Sequence, residues 1–203
     1  NIREQLRKAI ALLKEVGYEA KDGKLVDKAG KRLAFELLLN DAGFERMALP
    51  FKQNVDRLGI DMSVRTVDTS QYRRRSDSFD FDMIIDLWGQ SVSPGNEQRE
   101  FWGSEAAGRS GSRNLLGIKN PAIDKIIETL IFAKTRAELV ASCRALDRAL
   151  IWNHYVVPMW YISYERTARW DRYGRPAKLP DYSTGFPTIW WWDAEKAKKV
   201  DAT

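Results

Sequence analysis

The sequence predicts an α/β fold, a central mixed sheet flanked by helices, and three observations predict it. Between Leu33 and Leu87, apolar runs and amphipathic stretches alternate as strand, helix, strand, helix, strand. Short helices between strands imply parallel crossovers that cover the faces of a sheet. The turn signals Asp22-Gly23 and Ala29-Gly30 bracket Lys24-Leu25-Val26-Asp27 and predict a small β-hairpin. Beyond Asn120, apolar residues recur at helical spacing through two further segments.

The elements follow in order. Ile2 to Val16 is an amphipathic helix with Leu6, Ala9, Ile10 and Leu13 on one face, and Gly17 stands at its C-terminal cap. Leu33 to Leu39, LAFELLL, is a buried strand, broken by Asn40-Asp41-Ala42-Gly43. Phe44 to Leu58 is a second amphipathic helix carrying Met47, Phe51, Val55 and Leu58 on one face. Pro50 within it predicts a late start or a kink. Ile60 to Val67 alternates apolar and polar residues as a half-buried strand does. Asp68 or Thr69 caps a short basic helix through Arg75, and a strand follows at Phe81. Asn120-Pro121 opens a helix through Phe132. Thr135 to Trp152 is a long helix in which Thr135 and Glu138 form a capping box, Glu138 returning to the cap amide. Tyr155 to Tyr164 reads as a strand that Pro158 confines to an edge or a bulge. From Arg169 the prolines are widely spaced, and Trp190-Trp191-Trp192 cannot all point one way. A helix returns only at Asp193.

Composition narrows the classes. With 44% hydrophobic and 30% charged residues the chain is globular rather than disordered. The net charge of +5 sets 33 Lys and Arg against 28 Asp and Glu, and the tight basic clusters, Arg73-Arg74-Arg75 and Lys196/Lys198/Lys199, read as solvated faces, so no nucleic-acid partner is expected. One cysteine, Cys143, excludes an internal disulfide and a CxxC site, and the single histidine, His154, lacks a cluster that would make a zinc site. No metal or cofactor is expected. No apolar run is long enough to span a membrane. The chain starts at Asn1, within the first helix and without a visible signal peptide, and is expected to be a processed or truncated product.

The stretch Phe79 to Trp102 is the most informative. A strand ends at Trp88-Gly89, and Gln90 to Gln98 is a polar loop with Ser91, Ser93, Pro94, Gly95 and Asn96. A helical turn from Glu97 then places Phe101 and Trp102. Ligands collect on such loops at the carboxyl ends of strands. An ordinary surface connection between two core aromatics has the same pattern, and both readings stand at this point.

Linked motifs carry a resemblance: LLKEVGYEAKDGKLVDKAGKRLAFELLL, FKQNVDRLGIDMSVRTVD, FDFDMIIDLWG, SPGNEQREFWGS, GSRNLLGIKNPAID and ALDRALIWNHYVVPMWY. The sequence resembles the carboxy-terminal part of a family 5 extracellular solute-binding protein, the periplasmic peptide-binding component of an ABC importer. SPGNEQ and GSRN resemble its Yej-type subgroup. The resemblance implies a periplasmic-binding-protein-like lobe. Residues 1–175 would be the C-terminal ligand-binding lobe, and 176–203 a return segment toward an N-terminal lobe. It also implies a periplasmic location, a peptide or peptide-like ligand held between lobes that close over it, an inner-membrane ABC permease as partner, and no chemistry. Carried over position by position, it implicates Trp88, Gln90, Ser91, Ser93, Asn96 and Trp102 as ligand-binding. Relatives for dipeptides and oligopeptides tend to carry an aspartate three positions after that first tryptophan, which pairs with the ligand amine. Here Ser91 stands there, and a hydroxyl cannot neutralise an ammonium.

Arg113, in GSRN, either pairs with a ligand carboxylate or phosphate or fixes its loop. Two other classes have partial support in the residues. Asp80 and Asp82 have the look of a general acid/base pair, but their place on a strand opposite Phe79 and Phe81 reads as solvent-facing. Eight tryptophans suit an oligosaccharide-binding transporter protein or carbohydrate-binding module; Trp152, Trp160 and Trp170 sit in periodic segments and are expected in the core.

Overall fold

The computed structural model describes residues 1–159, 164 and 166–202. They form two compact units, Asn1–Val156 and Val157–Thr203.

In the first unit, helix α1 (Ile2–Glu15) is capped by the Asn1 side chain, which accepts from the Arg3 amide, and ends at Gly17 with φ 94°. Its apolar stripe is only half covered: Leu6, Ala9 and Leu13 are half-buried, and Ile10 is exposed. Strands β1 (Glu19–Lys21) and β2 (Lys24–Val26) form the expected hairpin. Its turn residues Asp22 and Gly23 have φ of 50° and 73°, the conformation that matches strand twist. Gly59, with φ 81°, accepts from the Leu25 amide at 2.7 Å. A Cβ at Gly59 would stand 2.8 Å from the Leu25 nitrogen, so the close approach of the two segments requires glycine.

Strands β3 (Ala34–Leu39), β4 (Asp61–Thr66) and β5 (Met83–Ile84) pair in the order β4-β3-β5, all parallel. The fold is α/β with a parallel sheet flanked by helices; antiparallel pairing occurs in the separate two-stranded sheets. Leu37, Leu39 and Met62 pack against Ala48 and Val55 of helix α2 (Glu45–Asp56). That helix starts before Pro50 and runs through it, so of the late start or kink expected there, the late start does not occur. The proline forfeits one helical hydrogen bond, a cost of about 3 kcal/mol that burial of the apolar face offsets.

Strand β5 is shorter than the sequence suggests. The Asp82 carboxylate, not a strand carbonyl, accepts the Glu36 amide at 2.9 Å, which ends the ladder. Asp80 accepts from the Arg75 guanidinium at 2.9 Å. The two acids therefore lie outside the strand, each tied to a structural partner, rather than standing side by side on it. Helix α3 (Thr69–Asp77) is capped by Asp68, which accepts from Gln71. Its Arg75 is not a solvated charge: the side chain is largely covered and also pairs with Glu36 at 2.9 Å.

The remaining regular structure of the unit is helical, joined by long loops. Helices α4 (Glu97–Trp102), α5 (Pro121–Ile131) and α6 (Arg136–Trp152) bury Phe101, Trp102, Ile123, Ile127, Leu130 and Leu146 together with Ile118. Asn120 and Thr135 cap α5 and α6 as expected. Glu138 returns to the Lys134 amide at 2.8 Å instead of the Thr135 amide. His154 follows α6 in the left-handed region, φ 54°, with its amide donating to Ile151 O. Residues 155–159 form no strand; residues 160–163 of that expected strand, Trp160 among them, lie outside the described residues. Trp152 is 76% exposed, against the expectation of a core residue, because it is the last residue of α6 and lies off the helix's packed face.

In the second unit, β6 (Tyr173–Gly174) pairs antiparallel with β7 (Trp191–Trp192), and α7 (Ala194–Asp201) follows, capped by Asp193. The Trp190 ring lies under the guanidinium groups of Arg169 (4.7 Å) and Arg175 (5.4 Å), and its indole N–H donates to Thr184 O. Trp191 and Trp192 are both exposed, and so is Trp170, at 72%, again contrary to expectation.

Candidate functional site

The strand-to-loop stretch after β5 meets the GSRN turn. Trp88 Nε1 donates to the Arg113 carbonyl at 3.1 Å, and Arg113 Nη2 donates to the Leu87 carbonyl at 2.8 Å. This reciprocal pair holds the two loops together. The Arg113 guanidinium lies 5.5 Å from the Phe101 ring centroid and 4.0 Å from Asp86. Of the two roles open to Arg113, fixing the loop is the one these contacts perform. Asp86 also faces Tyr72, whose pKa is raised by burial first and by that carboxylate second; the Tyr72 hydroxyl donates to Ile85 O.

The GSRN turn is held from beneath by Asn114, which is fully buried. Its amide donates to Gly103 O and Ile118 O and its oxygen accepts from the Ile118 amide, at 2.9, 3.0 and 3.0 Å.

Trp88 and Trp102 stack with centroids 5.0 Å apart and rings tilted by 44°. Trp102 is buried and donates to Gln98 Oε1 at 2.9 Å. Gln98, only 2% exposed, donates onward to Gln90 Oε1 and Glu97 Oε1. This chain runs from the tryptophan to Gln90 at the start of the loop. Gln98 escaped the sequence reading, because a glutamine one helical turn before a tryptophan looks like any surface position. The Glu97 carboxylate also accepts from the Gly95 amide at 2.8 Å. Burial works against its charge, but the Gly95 and Glu97 amides and the Gln98 side chain prevail, and the pKa falls below 4.5. A carboxyl held below its unfolded value stabilises the fold fully above that value, and the gain is lost as pH falls through the folded one. Glu97→Gln, which keeps an acceptor and removes the charge, is therefore expected to lower the melting temperature at neutral pH. The gap should close as the pH falls through the lowered pKa of Glu97, below the ordinary carboxylate value.

Gln90, Ser91 and Ser93 are exposed on the loop, with the Ser93 amide donating to Ser91 Oγ. Asn96 departs from the group: its side chain accepts from Arg99, which is paired with Glu128 on α5. Arg136, not singled out from the sequence, clamps the loop from α6 by donating to Val92 O at 2.7 Å. Between loop and α6 lies a groove of about 430 Å³. Its floor is Trp102, Leu130, Leu139, Cys143 and Leu146; Gln90, Ser91, Arg136, Arg144 and Asp147 edge it. Cys143 is half-buried and packs against the helical core. Leu87 and Val92 are exposed beside this loop. Among the described residues, no cluster of His, Cys, Asp and Glu could hold a metal ion, and no helix is long and apolar enough to cross a membrane.

A model of the bacterial extracellular solute-binding proteins, family 5 (middle region), matches residues 2–110. The chain belongs to that family. Two relatives of the chain come from Agrobacterium fabrum. One, a probable peptide-binding protein YejA, is 50% identical over 93% of the chain and 31% of its own length. The other, the peptidoglycan-binding protein YepA, is 41% identical over 95% of the chain and 31% of its own length. The chain thus spans about a third of these curated relatives. The oligopeptide-binding protein AppA of Bacillus subtilis, solved with a nonapeptide, superposes with a TM-score of 0.65 at 22% identity, over 73% of this chain and 30% of that one. That likeness establishes the periplasmic-binding fold.

Proposed function

We propose that this chain is part of a substrate-binding component of an ABC importer, located in the periplasm, that holds peptides or peptide-like compounds and delivers them to an inner-membrane permease. Residues 1–175 would serve as one ligand-binding lobe and 176–203 as the segment leading to a second lobe. The observation that carries the reading is the tilted Trp88–Trp102 pair beside a loop of exposed polar groups, in a chain of a solute-binding family. Rigid aromatic walls accept side chains of varied identity, while loop donors and acceptors meet the main chain common to all peptides. Trp88, Gln90, Ser91, Ser93 and Trp102 are the proposed ligand-facing residues. Asn96 and Arg113 are proposed with them; their side chains also shape the loops through Arg99 and the Leu87 carbonyl. The names of the two Agrobacterium relatives agree with this assignment. Peptidoglycan carries glycan as well as peptide, so oligosaccharide is the competing ligand, and tryptophan walls suit it too. The test is a fluorescence titration of the intact protein with a randomised peptide mixture. Trp88→Ala is expected to weaken binding by about tenfold or more, the scale of an aromatic anchor. Unchanged affinity would remove Trp88 from the site.

A further inference from the structure

The groove between the loop and α6 has polarity at its edge that its floor lacks. Gln98, the polar residue within it, is satisfied internally: both N–H groups donate and its oxygen accepts. The edge is mostly donor. Ser91 Oγ accepts from Ser93, leaving its O–H to donate outward, and the Gln90 amide nitrogen has no acceptor among the described residues. Arg136 spends one N–H on Val92 O. Arg144, exposed one helical turn past Val140, has no hydrogen bond or ion pair among the described residues. Asp147 is the one carboxylate at the edge, against these two guanidinium groups.

An apolar floor beneath an edge of donors and net positive charge fits one kind of ligand group: an apolar side chain next to a carboxylate. The geometry points to this groove as the subsite for the carboxyl-terminal residue of a peptide-like ligand, its side chain on Trp102, Leu139 and Cys143 and its carboxylate at Arg144 and Arg136. This assignment rests on the peptide reading above and adds the end by which the peptide is held. The groove is continuous with the proposed site through Gln90, Ser91 and Trp102, and its volume lies within the range of small-ligand pockets.

The experiment uses the intact, ligand-stripped protein and a randomised mixture of tri- to octapeptides, prepared once with free carboxyl ends and once amidated. Bound peptides are recovered and sequenced by mass spectrometry, and alkylation of Cys143 is followed by peptide mapping. The expected result is about tenfold greater capture of the free-acid mixture, enrichment of Leu, Ile, Val, Met or Phe at the last position, and slower alkylation of Cys143 when peptide is bound. Arg144→Ala, a change at an exposed position, is expected to abolish the preference for the free acid while peptides still bind. Equal capture of both mixtures, or unprotected Cys143, overturns the groove assignment and leaves the peptide reading standing. Capture of neither mixture overturns both.

Discussion

Asn114→Ala is expected to destabilise the protein by about 3 kcal/mol, because two backbone groups of Ile118 lose their partners inside the helical core. Gly103 O is less affected, since it also accepts from the Ala106 amide. Each orphaned buried group costs about 1–3 kcal/mol, a large share of the roughly 5–15 kcal/mol that holds a domain together. The consequence reaches the site. Asn114 sets the turn that presents Arg113, and Arg113 and Trp88 hold each other's loops. Urea unfolding of the variant checks the stability loss, and hydrogen exchange should show lost protection at the Ile118 amide. A loss under about 1 kcal/mol would mean that water replaces the side chain.

Trp102→Ala should cost about 4 kcal/mol, the usual range for a buried tryptophan truncated to alanine. Three contacts disappear together: the stack with Trp88, the edge-to-face contact with Phe101, and the donor to Gln98. With Gln98 released, its bonds to Gln90 and Glu97 lose their anchor, so the loop is expected to loosen and ligand binding to fail even where the protein still folds. Trp102→Phe separates the effects. It keeps most of the apolar surface and removes the N–H, and should cost about 1 kcal/mol of stability. If Trp102→Ala bound ligand as well as the parent, the loop would not depend on this chain of hydrogen bonds.

Much of this fold is legible from residue patterns because its determinants are local. The alternation from Leu33 to Leu87 yields three parallel strands with helices between them, and the caps at Asp68, Asn120, Thr135 and Asp193 stand where their side chains imply. What escaped depends on partners far along the chain. Arg75 looks like one of three solvated arginines until Glu36, 39 residues away, is placed beside it. Asp82 looks like a strand residue until its carboxylate takes the Glu36 amide. Periodicity groups residues on one face of an element but says nothing of what covers that face, which is why Trp152 and Trp170 were expected in the core. At the site, residue types and spacing drew attention to Trp88, Trp102 and Arg113, which do come together. Gln98 and Arg136, which hold the loop in place, carry no local signal.

The central claim, that the intact protein binds peptides, is tested most directly by what it carries when purified from its own extracytoplasmic fraction. Native mass spectrometry before and after partial unfolding reads the mass of any released ligand. A ladder of masses spaced by amino-acid residues is the predicted result, and it would also set the length range of the ligand. Hexose-spaced masses, or an empty protein that also ignores a peptide library, would contradict it.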